Sequence, residues 1–280
     1  MNTDMPPLQF ARTNGIRMGY HDAGPSGDAP PLVLCHGWPE LAYSWRHQIR
    51  ALAAAGLRVI APDQRGFGAT DAPPEVQAYD LEQLTADLVG LLDHLGIAKA
   101  IFVGHDWGGF VVWQMALRHA ARVAGVVSLN TPHLPRAPVD PIAILRQRHG
   151  DSMYIVHFQD PAHSADAIFD SHVEQTFDCF MRKPLPVVGA PGTPNMAFPR
   201  TVAAYDASRD TRAPILSAQE KQVFIDTYTR TGFSGGINWY RNITRNWERS
   251  ATLDPVVRVP ALMIMAEHDA VLPPSAADGM

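Results

Sequence analysis

The chain of 280 residues is 46% hydrophobic and 18% charged, enough for one large core or one core with a smaller attached unit. Its net charge of -5 is small for this length, and Lys and Arg are scattered rather than gathered into a run that tracks phosphates, which excludes nucleic acid as a partner. The start, MNTDMPPLQF, has no basic segment followed by an apolar core, and no run of about 18 apolar residues could span a bilayer, so a cytoplasmic protein with no membrane partner is expected.

Two short extended segments, around Leu8 to Arg12 and Ile16 to His21, open the chain. Apolar runs then alternate with helical patterns, which indicates an α/β fold with a mostly parallel sheet and crossover helices. PLVLCHG reads as a buried strand, SWRHQIRALAAAG as a helix ending at Gly56, LRVIAPDQRG as a strand, and DLEQLTADLVGLLDHLG as a helix with apolar residues at three and four spacing. AIFVGHD is the next strand, WGGFVVWQMALRHA a helix beginning directly after Asp106, and VAGVVSLNTP the strand that follows. At TPHLPRAPVDPI prolines cluster and the alternation stops. From about Ile142 to Ser250 the pattern is helical, broken by the Pro- and Gly-rich KPLPVVGAPGTPN, and VPALMIMAEHD then restores a buried strand. The boundaries predicted are a core over 1–133, a helical cap over 134–250 and a second part of the core over 251–280. Cys35 and Cys179 give no disulfide framework and read as structural filler.

VGHDWGGF, Val103 to Phe110, carries the chemistry. A strand that runs straight into a helix through Gly104-His105-Asp106-Trp107-Gly108 holds its central residue in a strained turn, with glycines relieving the clash between strand and helix. The Asp106 side chain is then exposed at the carboxyl end of the sheet, beside the positive end of a helix dipole that favours its ionised form. A carboxylate gains little by attacking an ester or amide carbonyl. Against a saturated carbon it is a sensible nucleophile: it displaces a leaving group, and water then splits the resulting alkyl-enzyme ester. The competing reading is an aspartate that merely caps the helix.

HGWPE, His36 to Glu40, resembles the loop that supplies an oxyanion-hole amide in alpha/beta hydrolases, so the backbone N–H groups of Trp38 and Trp107 are the expected oxyanion donors. Losing one such donor costs about 3 kcal/mol. The same residues could form an ordinary turn, and the Trp38–Pro39 bond is a candidate for the cis form.

HGWPE, APDQRGFG, VGHDWGG, MYIVHFQDP, NWYRNITRNW and MIMAEHDAVLP, taken in this order, resemble the epoxide hydrolase family of the alpha/beta-hydrolase superfamily over nearly the whole chain. The resemblance implies a detoxifying hydrolase that works on a small apolar epoxide and water without cofactor or metal, and it allows a homodimer. It assigns Tyr154 and Tyr240, from the cap, to polarise the epoxide oxygen. A phenol of pKa about 10 suits that task, because the alkoxide leaves only if protonated or hydrogen bonded. Seen without the family, either tyrosine could be packing. Asp269 matches the acid that orients a histidine base and stabilises its cation, and otherwise reads as a solvated loop acid. His268 is not its partner, since adjacent side chains at a strand end point apart. The family's histidine lies well downstream of that acid, before a final helix. The sequence stops at Met280 first, without the fold's last strand and helix, so a Gly-His is expected within about 40 residues beyond in the parent reading frame.

Two other readings stand beside this one. A haloalkane dehalogenase uses the same aspartate chemistry and also has Trp after the nucleophile, but a halide wants N–H donors rather than a proton, and the tyrosine pair favours oxygen. A hydrolase-fold protein that only binds an apolar ligand would explain the lack of the histidine, against the joint presence of Asp106, Tyr154 and Tyr240. Metal binding has little support in the spacing of His163 and His172, and the elbow lacks the spacing and Lys of a nucleotide loop. Substrate choice is expected to depend on VVGAPGTPNMAF.

Overall fold

The computed structural model of the chain describes residues 5–183, 197–269 and 271–280. Its strands are β1 (Leu8–Thr13), β2 (Ile16–Ala23), β3 (Leu32–Cys35), β4 (Val59–Pro62), β5 (Ala100–His105), β6 (Val123–Leu129) and β7 (Ala261–Ile264). They form one seven-stranded sheet among the described residues, in the order β1-β2-β4-β3-β5-β6-β7. β1 and β2 pair antiparallel with each other, as do β2 and β4, and every later pairing is parallel. Val33, Ile60, Phe102 and Val126 from four neighbouring strands are buried, as a sheet with helices on both faces requires.

The first helices are α1 (Arg46–Ala54), α2 (Leu81–His94) and α3 (Trp107–Arg118). α2 starts where the Asp80 side chain accepts the amide of Gln83, and it turns Leu84, Leu88, Leu91 and Leu92 inward. Two of the elements up to α3 differ from the sequence reading in their bounds. α1 begins at Arg46, after a 3-10 turn over Ala42–Trp45. LRVIAPDQRG is strand only over Val59–Pro62, because the next residues wrap around the Asp63 carboxylate, which accepts the amides of Ala42 and Ala69 at 2.9 Å each. Those backbone groups serve a loop rather than a ladder.

Between β6 and β7 the described chain is helical: α4 (Pro141–His149), α5 (Tyr154–His157), α6 (Ser164–Ser171), α7 (Val173–Phe180), α8 (Phe198–Ala203), α9 (Ala218–Thr231), α10 (Ser234–Arg241) and α11 (Ile243–Arg249). These helices pack on the loops that leave β3 and β4. Tyr228 of α9 donates to Glu40 O at 3.1 Å and the Trp239 indole of α10 to Arg65 O at 3.0 Å. Arg245 of α11 pairs with buried Asp80 at the start of α2. Of VVGAPGTPNMAF, the stretch expected to govern substrate choice, residues 187–196 lie outside the described residues, and its last residue, Phe198, begins α8. β7 corrects the expectation of a buried strand: among the described residues it pairs only with β6, at the end of the sheet, and Leu262 and Ile264 are 54% and 46% exposed. Among the described residues no helix is long and apolar enough to cross a membrane. Cys35 and Cys179 are buried free thiols.

Candidate active site

β5 ends at His105 and α3 starts at Trp107, leaving Asp106 alone in the turn at φ 54 and ψ -122. An L side chain enters that backbone region at a cost, which the surrounding packing must sustain. The glycines beside it are dictated by close approach: a Cβ on Gly104 would lie 2.2 Å from Gly108 O, and one on Gly108 would lie 2.0 Å from Cys35 O. Asp106 makes no side-chain cap to α3. Its Oδ1 instead accepts the amide of Trp38 at 2.9 Å, and the Trp107 amide also binds the carboxylate. The capping explanation therefore does not account for this residue.

Burial pushes the Asp106 carboxyl above its ordinary pKa, against the pull of the His105 charge and of the two amides. This corrects one expectation. The helix start does favour the anion through those amides, but desolvation outweighs it.

Trp38–Pro39 is cis, and the loop carrying it faces Asp106. The Trp38 ring lies edge-on to Phe158, Phe169, Phe180, Phe233 and Tyr240, all from the helical segment, with centroids 5.4 to 6.4 Å away. A cavity of about 270 Å³ lies here, with Asp106, Tyr154, Tyr240 and Asp269 among its lining residues and Trp38, Phe180 and Phe198 supplying apolar surface. The Tyr154 and Tyr240 rings stand 5.7 Å apart, edge to face. Both phenols are buried, and burial, with the Asp106 charge second, raises both pKa values above the ordinary tyrosine value. They remain protonated donors at any ordinary pH. The Trp107 indole hydrogen-bonds the Tyr240 hydroxyl, which leaves that hydroxyl's own hydrogen free to be donated.

Asp269 follows β7 and lines the same cavity. Its Oδ2 accepts Asn130 Nδ2 at 2.6 Å, and its Oδ1 accepts the amides of Val271 and Leu272 at 2.8 and 2.9 Å. No histidine among the described residues is hydrogen-bonded to it, and His268 points to the surface.

Sequence reasoning missed three contributors. Asn130 holds Asp269 from the end of β6. Glu40 and His105, given no role in the sequence reading, both line the cavity and bond to each other at 3.2 Å. Burial works against a charged His105, but the Glu40 hydrogen bond and charge, with Asp106 and Asp269, prevail and push its pKa up to about 9. Glu40 is lowered, because the His105 contact overcomes its own burial. The available signal was adjacency: His105 directly precedes Asp106, and Glu40 closes the HGWPE motif. Among the described residues no group of three His, Cys, Asp or Glu could hold a metal ion.

A family profile for the alpha/beta hydrolase fold matches residues 30–280. The chain is 46% identical over 276 residues to epoxide hydrolase A of Mycobacterium tuberculosis, covering 95% of this chain and 84% of that protein. It is 38% identical over 283 residues to the mouse bifunctional epoxide hydrolase 2, covering 95% of this chain but only 47% of that longer protein. The crystal structure of epoxide hydrolase A from Mycobacterium thermoresistibile superposes with a TM-score of 0.80 at 39% identity, over 93% of this chain and 91% of that one. The structure of VrEH1 from Vigna radiata gives 0.82 at 33% identity, over 97% and 83%. Sequence, topology and elbow agree, and the chain belongs to the alpha/beta hydrolase fold family, within its epoxide hydrolase group.

Proposed function

We propose that this chain opens small apolar epoxides to vicinal diols through an ester on Asp106. The observation that carries the reading is the Asp106 carboxylate, held in a strained turn, and two protonated phenols lining one cavity. An Asp106 oxygen attacks one ring carbon, the bond from that carbon to the epoxide oxygen breaks, and Tyr154 and Tyr240 donate to the oxygen as it takes up charge. Two donors suit an oxygen with two lone pairs and no other means of leaving.

Water then attacks the aspartyl carbonyl. The amides of Trp38 and Trp107, already on the carboxylate, are the donors in place for its oxyanion. Asp269, held by Asn130 and two amides, is the acid suited to orient a histidine base. His105 does not fit that part: with a pKa of about 9 it carries its proton at neutral pH.

The halide reading receives less support. The Trp107 indole, one of the N–H donors a halide would need, is engaged by the Tyr240 hydroxyl, while the buried indole N–H of Trp38 has no partner among the described residues. Mass spectrometry after exposure to an epoxide tests the proposal: the mass of the epoxide should appear on the peptide carrying Asp106. Folded protein left unmodified, or one that releases halide from haloalkanes and never alters epoxides, would overturn it. Tight reversible binding without an adduct would favour a non-catalytic ligand binder.

A further inference from the structure

The two phenols come from different helices, so neither helix alone sets their spacing. Tyr154 is the first residue of α5, a helix of four residues, too short to hold its own geometry without support. Tyr240 is the next-to-last residue of α10, where backbone carbonyls run out of partners within the helix. Gln159 serves both places. Its Nε2 donates to Ile155 O at 2.9 Å and to Tyr240 O at 3.0 Å. Because both partners are carbonyls, the side chain must turn its NH2 group toward them, and each hydrogen has its own acceptor. One planar group thereby spans the residue next to Tyr154 and the backbone of Tyr240 itself. Arg241 braces the same seam: its Nε donates to Phe158 O at 3.0 Å while its guanidinium pairs with buried Asp166. Phe158 lies edge-on to both tyrosine rings, so the seam reaches the side chains.

We propose that Gln159 is a positioning residue for the phenol pair, its carboxamide fixing the backbone of Tyr154 against that of Tyr240 and so the geometry in which two hydroxyls meet one epoxide oxygen. This rests on the ring-opening reading above. Gln159 touches no substrate in this role and acts only through the tyrosines.

The test follows the rate of adduct formation on Asp106 in single turnover, together with 19F spectra of protein labelled with fluorotyrosine. Gln159→Met keeps the length of the side chain and removes both donors. It should slow adduct formation at saturating epoxide about tenfold or more, since misplacement by about 1 Å can cost a hundredfold. The half-saturating concentration should stay within about twofold, as expected when an interaction used mainly in the transition state is lost. Gln159→Asn, one methylene shorter, retains a donor for one carbonyl and should fall between the two, which keeps the test open should the Met variant fold poorly. In a Tyr240→Phe background Gln159→Met should lose most of its effect. The 19F resonances of Tyr154 and Tyr240 should shift in Gln159→Met while that of Tyr20 stays. Unchanged rates, or full additivity with Tyr240→Phe, would overturn the proposal even if Tm falls. If the parent protein forms no adduct yet the two resonances move, the epoxide reading fails while the positioning role stands.

Discussion

The backbone amide of Trp38 donates to Oδ1 of Asp106 at 2.9 Å, joining two residues 68 positions apart in sequence. The contact holds Oδ1 on a backbone amide, and in the proposed mechanism the other oxygen is the one that attacks. Asp106→Asn preserves the shape of this contact but has no anion to use. Adduct formation and diol production should both vanish while Tm stays close to that of the parent, measured by mass spectrometry, product analysis and thermal unfolding.

In the proposed mechanism Tyr154 and Tyr240 share one task, so each single replacement should slow ring opening and the pair should slow it more. Tyr154→Phe and Tyr240→Phe are each expected to slow adduct formation by about a hundredfold, within the usual range for removing a general acid. The double variant should lose all measurable ring opening. Stopped-flow tryptophan fluorescence would follow this, since Trp107 lies 5.0 Å from Tyr240 between ring centroids.

His105 should titrate near pH 9 by NMR, well above a free imidazole, and Glu40→Gln should bring the midpoint down. The sign for stability follows from the raised value. The contribution of the charged pair is complete below the unfolded pKa of about 6.5 and is lost as pH rises through about 9. The side chain is 36% exposed, so solvent screening keeps this contribution small. A Tm difference between the parent and Glu40→Gln that persists unchanged above pH 10 would contradict the assignment.

Arg65 and Asp87 form a buried two-point ion pair, with Nε to Oδ2 at 2.7 Å and Nη2 to Oδ1 at 2.5 Å. Burial raises the Asp87 pKa although Arg65 opposes it, so the carboxylate depends on its partner. Arg65→Met should cost about 3–5 kcal/mol, the range for leaving one member of a buried pair alone. Adding Asp87→Leu should recover most of that loss. Denaturant titration of the two singles and the double decides it.

Much of the fold was legible because its signals were local and repeated. Buried strands read as short apolar runs, α2 as apolar spacing of three and four residues, and α3 as the helix that follows the elbow, within a few residues of their observed ends. The elbow was legible because only glycine fits at positions 104 and 108. What was not legible depended on distant pairing. Nothing in APDQRGFG announces that Asp63 gathers amides from residues 42 and 69, and so the strand appeared longer than it is. The charge of His105 depends on Glu40, which sits 65 positions away. The pull of burial on Asp106 likewise arises only once the helices lie over the sheet.

The ring of Trp38 rests against residues from α6, α7 and α10 and from the turn after α5, while its backbone amide holds the Asp106 carboxylate. The two layers of the site are consequently not interchangeable parts. A helical segment grafted from a relative would arrive shaped for that relative's residue at position 38, and a mismatch there would reach the Asp106 oxygen through a single loop. Recombining such proteins should succeed when the β3 loop travels with the helices and fail when it is left behind.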